Sequence, residues 1–225
     1  MSRLEAGPRG ALGALSAVLL SLGLATPASA QLAASERGGP IRLQVGEQSL
    51  TVSLSRDTVR GGGFDLRRTP TSLKGQLRGG DVDLRWRKGP IVGRVGVEDS
   101  RLELSRMSSE PGLRVDGELA NWPTSLVLSP VGISGDVGGC SYSMTVAGGR
   151  YTGWRTCQPD AGGEPTSVSL SLPETIHVLG DAEQAALLSL LLSAQGLPPA
   201  PPREASDSGR TLEGPGLDET DAPRK

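Results

Sequence analysis

Residues 140–157 read CSYSMTVAGGRYTGWRTC and hold both cysteines of the chain. Gly148-Gly149 supplies two residues that accept positive φ, which a type I′ hairpin turn needs. Pairing outward from that turn sets Ala147 against Arg150, Val146 against Tyr151, and finally Cys140 against Cys157. By parity the cysteines fall at a non-hydrogen-bonded pair, where Cα atoms lie about 4.5 Å apart. That distance lies within the span a disulfide bridges. In the chain-entropy account it contributes about 3 kcal/mol. Two buried free thiols are the alternative reading. A metal site is weaker still, because two cysteines and one distant histidine make a poor ligand set.

A second diglycine gives the same kind of register. Placing the turn at Gly79-Gly80 pairs Leu73 with Trp86, Gly75 with Leu84, and Leu77 with Val82. Lys74, Gln76, Arg78, Asp81, Asp83 and Arg85 then occupy the other face. One register sorts both segments, as a half-buried antiparallel pair requires.

Alternation of apolar and polar residues recurs from Ile41 to Leu172 in about a dozen short runs, separated by turn residues such as 61–63, 88–90 and 109–112. The predicted fold class is all-β. It is a predominantly antiparallel meander, as a curled sheet or a partly open barrel or roll, with one short C-terminal helix. Gly75, Gly93, Gly117, Gly135 and Gly153 fall on the apolar face by parity. A stripe of inward glycines lets a sheet bend sharply. There is also a weak internal repeat: Gly75, Gly93, Gly96 and Val95 recur as Gly117, Gly135, Gly138 and Val137.

The period changes near the C-terminus. A helix is predicted over 182–195, with Asp181 as N-cap and Gln184 three residues on, and Gly196 and Pro198 ending it. It is apolar nearly all round and is expected to bury against the concave face of the sheet. Residues 198–225 are rich in Pro, Gly and charge, the composition of a disordered tail.

The N-terminus bears on compartment. Arg3 and Arg9 precede an uncharged apolar run over 11–25, and the small residues Ala28 and Ala30 follow. That is the layout of a secretory signal, with cleavage between Ala30 and Gln31. A flexible segment over 31–40 then leads into a single β-rich domain, 41–197. The expected location is secreted or periplasmic, an oxidising setting that suits the disulfide. The bias towards Gly, Ala, Arg and Leu matches a GC-rich bacterial source.

Signals for chemistry are thin. His177 is the only histidine, and it reads as a satisfied structural residue just before the helix. The sequence GDVGG at 135–139 has valine where a serine nucleophile would stand. Net charge is −2, so the basic footprint of a nucleic-acid binder is absent. No transmembrane span is expected in the mature chain. The strands look short for a membrane barrel and lack aromatic girdles. No catalytic, cofactor or metal residue is assigned. A possible contact surface comprises Trp154, which falls on the polar face of its hairpin, and the basic run Arg85, Arg87 and Lys88. The expected function is that of a secreted or cell-envelope binding or structural module whose partner is an envelope protein or an apolar ligand. The alternative is a carrier of an apolar or lipid-like ligand in the concave face, with the helix as lid. A hydrolase using His177 comes third.

Overall fold

A computed structural model describes residues 39–158 and 165–197. Fourteen antiparallel strands form a closed up-and-down barrel in chain order, sealed where the last strand pairs with the first. They are β1 (Pro40–Val45), β2 (Gln48–Leu54), β3 (Thr58–Gly61), β4 (Phe64–Thr69), β5 (Ser72–Leu77), β6 (Gly80–Arg85) and β7 (Ile91–Val95). The second half comprises β8 (Glu98–Arg106), β9 (Leu113–Leu119), β10 (Trp122–Leu128), β11 (Gly132–Val137), β12 (Cys140–Ala147), β13 (Arg150–Cys157) and β14 (Thr166–Ser171). A 3-10 turn, Glu174–Val178, leads to helix α1, Asp181–Leu192. The sequence predicted about a dozen strands and left the sheet partly open. Closure by pairing of Leu43 with Leu170 and Val45 with Val168 removes both free edges.

The diglycine hairpin has the predicted register throughout, from Ala147–Arg150 to Cys140–Cys157. The disulfide is formed, with the two Cα atoms 4.0 Å apart. The second hairpin differs. Its turn sits at Arg78-Gly79, with φ of 50° and 82°, and Gly80 already belongs to β6. Leu73 therefore pairs with Leu84, Gly75 with Val82 and Leu77 with Gly80. Arg78 accepts a left-handed backbone because its groups are held there. Its amide donates to the Gly63 carbonyl at 2.7 Å, and its guanidinium donates to the carbonyls of Gly62 and Gly196 at 3.0 and 3.2 Å. Each residue's partner moves by two positions, so the inward and outward faces stay as predicted.

The five striped glycines lie one each on β5, β7, β9, β11 and β13, at the inward parity of their strands, yet none is buried: Gly117 is exposed and the other four are half-buried. A Cβ built on each would stand 1.8–2.2 Å from a backbone carbonyl oxygen of the preceding strand: Asp65, Asp83, Arg101, Ser125 and Ser143. Strand backbones approach there more closely than any side chain allows. The glycines therefore set the curvature that closes the ring. The 42-residue repeat is the same device shifted by four strands, β5 and β7 onto β9 and β11.

Helix α1 fills the lumen. Ala185, Ala186, Leu187, Leu188, Leu190, Leu191 and Leu192 are all at most 1% exposed, as a helix apolar on every side requires. It is held from three directions. Glu183 pairs with Arg68 at the end of β4, Asp181 with Arg106 at the end of β8, and the Leu192 carbonyl accepts from Tyr142 of β12. Around the ring β8 lies four strands from each of the other two, which are six apart. The helix enters at the front rim, where even strands end, and runs to the back rim, where Ala194 donates to the Gly138 carbonyl at 3.1 Å. It is thus enclosed rather than laid over a concave face. Its N-cap is Gly180, not Asp181, because the Asp181 carboxylate is taken by Arg106. It stops at Leu192 rather than at 195, where Ser193 folds its hydroxyl back onto the Leu190 carbonyl at 2.8 Å.

The predicted signal segment with its cleavage at Ala30 and Gln31, most of the 31–40 segment, and the 198–225 tail lie outside the described residues. Pro40 already belongs to β1. No helix among the described residues is long and apolar enough to cross a membrane. The outward face of the barrel is polar, bearing residues such as Arg67, Lys74, Asp81, Arg94 and Glu118. It is not the apolar band that a lipid-facing barrel presents.

Candidate functional site

The front rim carries a cavity of about 600 Å³, within the size range of small-molecule sites. It lies among the β8–β9 loop, the β10–β11 loop and the segment that leads into α1. Strand inward positions supply its apolar floor: Leu113, Leu128, Ile133 and, from the helix, Leu188. Its rim is polar. Arg106 and Asp181 meet there at 2.7 Å, and Tyr151 donates its hydroxyl to the Ser129 carbonyl at 3.0 Å. Burial pushes the Tyr151 phenol above its ordinary pKa, so it stays a neutral donor.

His177 also lines this cavity and is exposed. The sequence read it as a satisfied structural residue; the 3-10 turn buries Ile176 instead and leaves the imidazole at the rim. A Ser-His-Asp relay is not assembled. Asp181 is committed to Arg106, and the Ser129 hydroxyl donates to the Gly132 carbonyl at 3.0 Å. Among the described residues His177 has no hydrogen bond to a serine or a carboxylate. The cavity offers an apolar base and a mixed-charge edge, suited to holding a small amphipathic molecule.

The proposed contact residues do not converge. Trp154 is 58% exposed on the outer face of β13. Arg85 ends β6, and Arg87 and Lys88 follow in the loop after it, all exposed. β6 and β13 are seven strands apart in a ring of fourteen, so the two halves of that surface face opposite ways. Trp86, between the basic residues, is 5% exposed and donates its indole N–H to the Pro70 carbonyl at 2.9 Å. In the RWRK run Arg85 ends β6 paired with Asp83, Trp86 anchors the turn that follows, and Arg87 and Lys88 are left to solvent.

Sequence reasoning missed Arg106, Tyr151 and Gln184 as rim residues, and the buried Arg68–Glu183 pair. Only the last left a trace: an acid in the first turn of an otherwise apolar helix needs a cation when enclosed. No family model, curated protein or solved structure matches the chain.

Proposed function

We propose that this chain is an exported cell-envelope module of bacterial origin that acts by binding through its outer surface and carries no catalytic centre. The observation that supports this reading is the packing of α1. The space a barrel carrier reserves for cargo is taken by the protein's own leucines. A disulfide near the back rim suits an oxidising compartment. Fractionation of the source cell, with N-terminal sequencing of the mature protein and identification of what co-purifies with it, is the test. The expected result is a chain starting at Gln31 in the periplasmic or extracellular fraction together with an envelope component. A cytoplasmic, full-length chain overturns the reading.

The second reading is a carrier of an apolar or lipid-like ligand. The front-rim cavity favours it, with Leu113, Leu128, Ile133 and Leu188 at its base. Organic extraction of the purified protein followed by mass spectrometry separates the two, because a carrier yields a stoichiometric amphiphile. A hydrolase is the third. Unchanged behaviour of His177→Ala in activity screens removes its candidate base.

A further inference from the structure

The outer face of β12–β14 differs in kind from the charged face of β5–β9, and it adds an exposed tryptophan to the uncharged hydroxyls that β2 also presents. Its central positions are Ser143, Thr152, Trp154, Thr156, Ser167 and Ser169, none of them charged. The register places Ser143 and Ser167 directly on either side of Trp154. Thr152 and Thr156 lie above and below it on the same strand, about 7 Å away. Among the described residues, none of these five hydroxyls is engaged in a side-chain hydrogen bond. A broad indole thus stands in a field of free donors and acceptors on a firm sheet.

We infer that this face is a binding platform for a neutral polysaccharide, with Trp154 stacked on a sugar ring and the flanking hydroxyls exchanging hydrogen bonds with the glycan. The inference rests on the reading of the protein as an envelope binding module and names its partner class. The chemistry selects the occupant. An anionic partner needs cations, which this patch lacks. An apolar protein surface would bury five hydroxyls without partners, at a cost for each. A pyranose ring offers what the patch can use: an apolar C–H face for the indole and a rim of hydroxyls, each both donor and acceptor. The platform is also preorganised. It is built on strands, and the Cys140–Cys157 disulfide ties β13, which carries the indole, to its neighbour β12, three residues from Trp154.

The test is retention of the full, oxidised chain on insoluble cellulose, chitin and starch, at low and at high NaCl. Retention on at least one glycan is expected, unchanged by salt because no ion pairs form. Trp154→Ala should lower it at least about tenfold while leaving circular dichroism and melting unchanged. Ser167→Arg, which keeps the indole but crowds its face, should also lower it. Trp122→Ala, on another wall, should not. Failure on all three glycans overturns the proposal, as does retention that survives Trp154→Ala or that salt abolishes. A concentration-dependent dimer dissolved by Trp154→Ala also overturns it, assigning the face to a second copy. In each of those cases co-purification with an envelope component would still stand or fall by itself, so the two readings fail separately.

Discussion

Strands β5–β9 and strands β12–β14 are alike inside the barrel and unlike outside. Within, both set buried side chains beside a glycine against which the neighbouring backbone closes in, aliphatic in the first and Met144 and Val168 around Gly153 in the second. Without, the first wall is a lattice of opposite charges. Lys74 faces Asp83 across two strands at 3.3 Å, Arg85 reaches the same carboxylate at 2.6 Å, and Arg114 holds Asp116 at 2.8 Å. The second wall has hydroxyls and an indole. Much of the charged wall pairs within itself, whereas the hydroxyls around Trp154 are left to solvent or to a partner. A sheet's inner face is dictated by the fold, and its outer face is free to be specialised.

The strongest way to break this comparison is to attack the shared inner device on each side. Gly93→Ala behind the charged wall and Gly153→Ala behind the hydroxyl wall put a methyl 1.8 and 1.9 Å from a carbonyl oxygen. Both should cost about 3 kcal/mol or more, from strain and overpacking together. Urea unfolding of the two variants checks it. Gly149→Ala serves as a control, because a Cβ there meets nothing within 4 Å and only its φ of +77° is unfavourable; its cost should be about 1–2 kcal/mol. Equal tolerance of all three would mean that close strand approach does not shape the barrel.

Next in size is the disulfide, which braces the hydroxyl wall alone. Cys140→Ser with Cys157→Ser should lower stability by about 3 kcal/mol. Hydrogen exchange should quicken along β12 and β13 and stay as before along β6 and β7. Uniform quickening would show that the cross-link serves the whole ring rather than one wall.

The smallest effect belongs to the charged wall. The hydrogen bond from Arg85 leads in holding the Asp83 carboxyl below its ordinary value, with Lys74 adding to it. For Asp116 burial pulls upward, but hydrogen bonds from Arg114 and Ser125 outweigh it and leave the carboxyl low. A lowered folded pKa gives stability that is fully present above the unfolded value. It is lost as pH falls through the folded one, so the window lies below about pH 4. These groups are solvent-screened, so the loss should be only a few tenths of a kcal/mol each. Stability measured from pH 5 downward on the wild type and on Asp83→Asn isolates it. A titration of that size in Trp154→Ala relative to wild type would contradict the division of the surface.

Much of this architecture could be read from residue order, and the exceptions have identifiable causes. The 140–157 hairpin was legible because Gly148 and Gly149 are the only residues there that suit both turn positions. The 72–85 hairpin slipped by one turn position because Arg78 adopts a conformation that arginine alone disfavours, held by Gly63 and Gly196 from distant parts of the chain. The helix was legible from its apolar run. Its enclosure was not, since barrel closure depends on β1 meeting β14, more than 100 residues apart in sequence. The front-rim cavity draws on three separate segments and left no local motif. The hydroxyl wall was visible all along in SYSMT and TSVSLS, but as solvent-facing alternation. Its character emerged only when three strands were laid side by side.

The passage of α1 through the lumen orders the birth of the molecule. Drawing a following segment end-first through a finished ring, with its continuation beyond Leu197, would be a threading step of the kind that folds avoid. The first and last staves must therefore come together around a rod already in position. Since that rod follows every stave in the chain, a nascent chain that has not reached Leu192 lacks the core around which the ring closes. The strands must wait, unsealed, until the final leucines arrive.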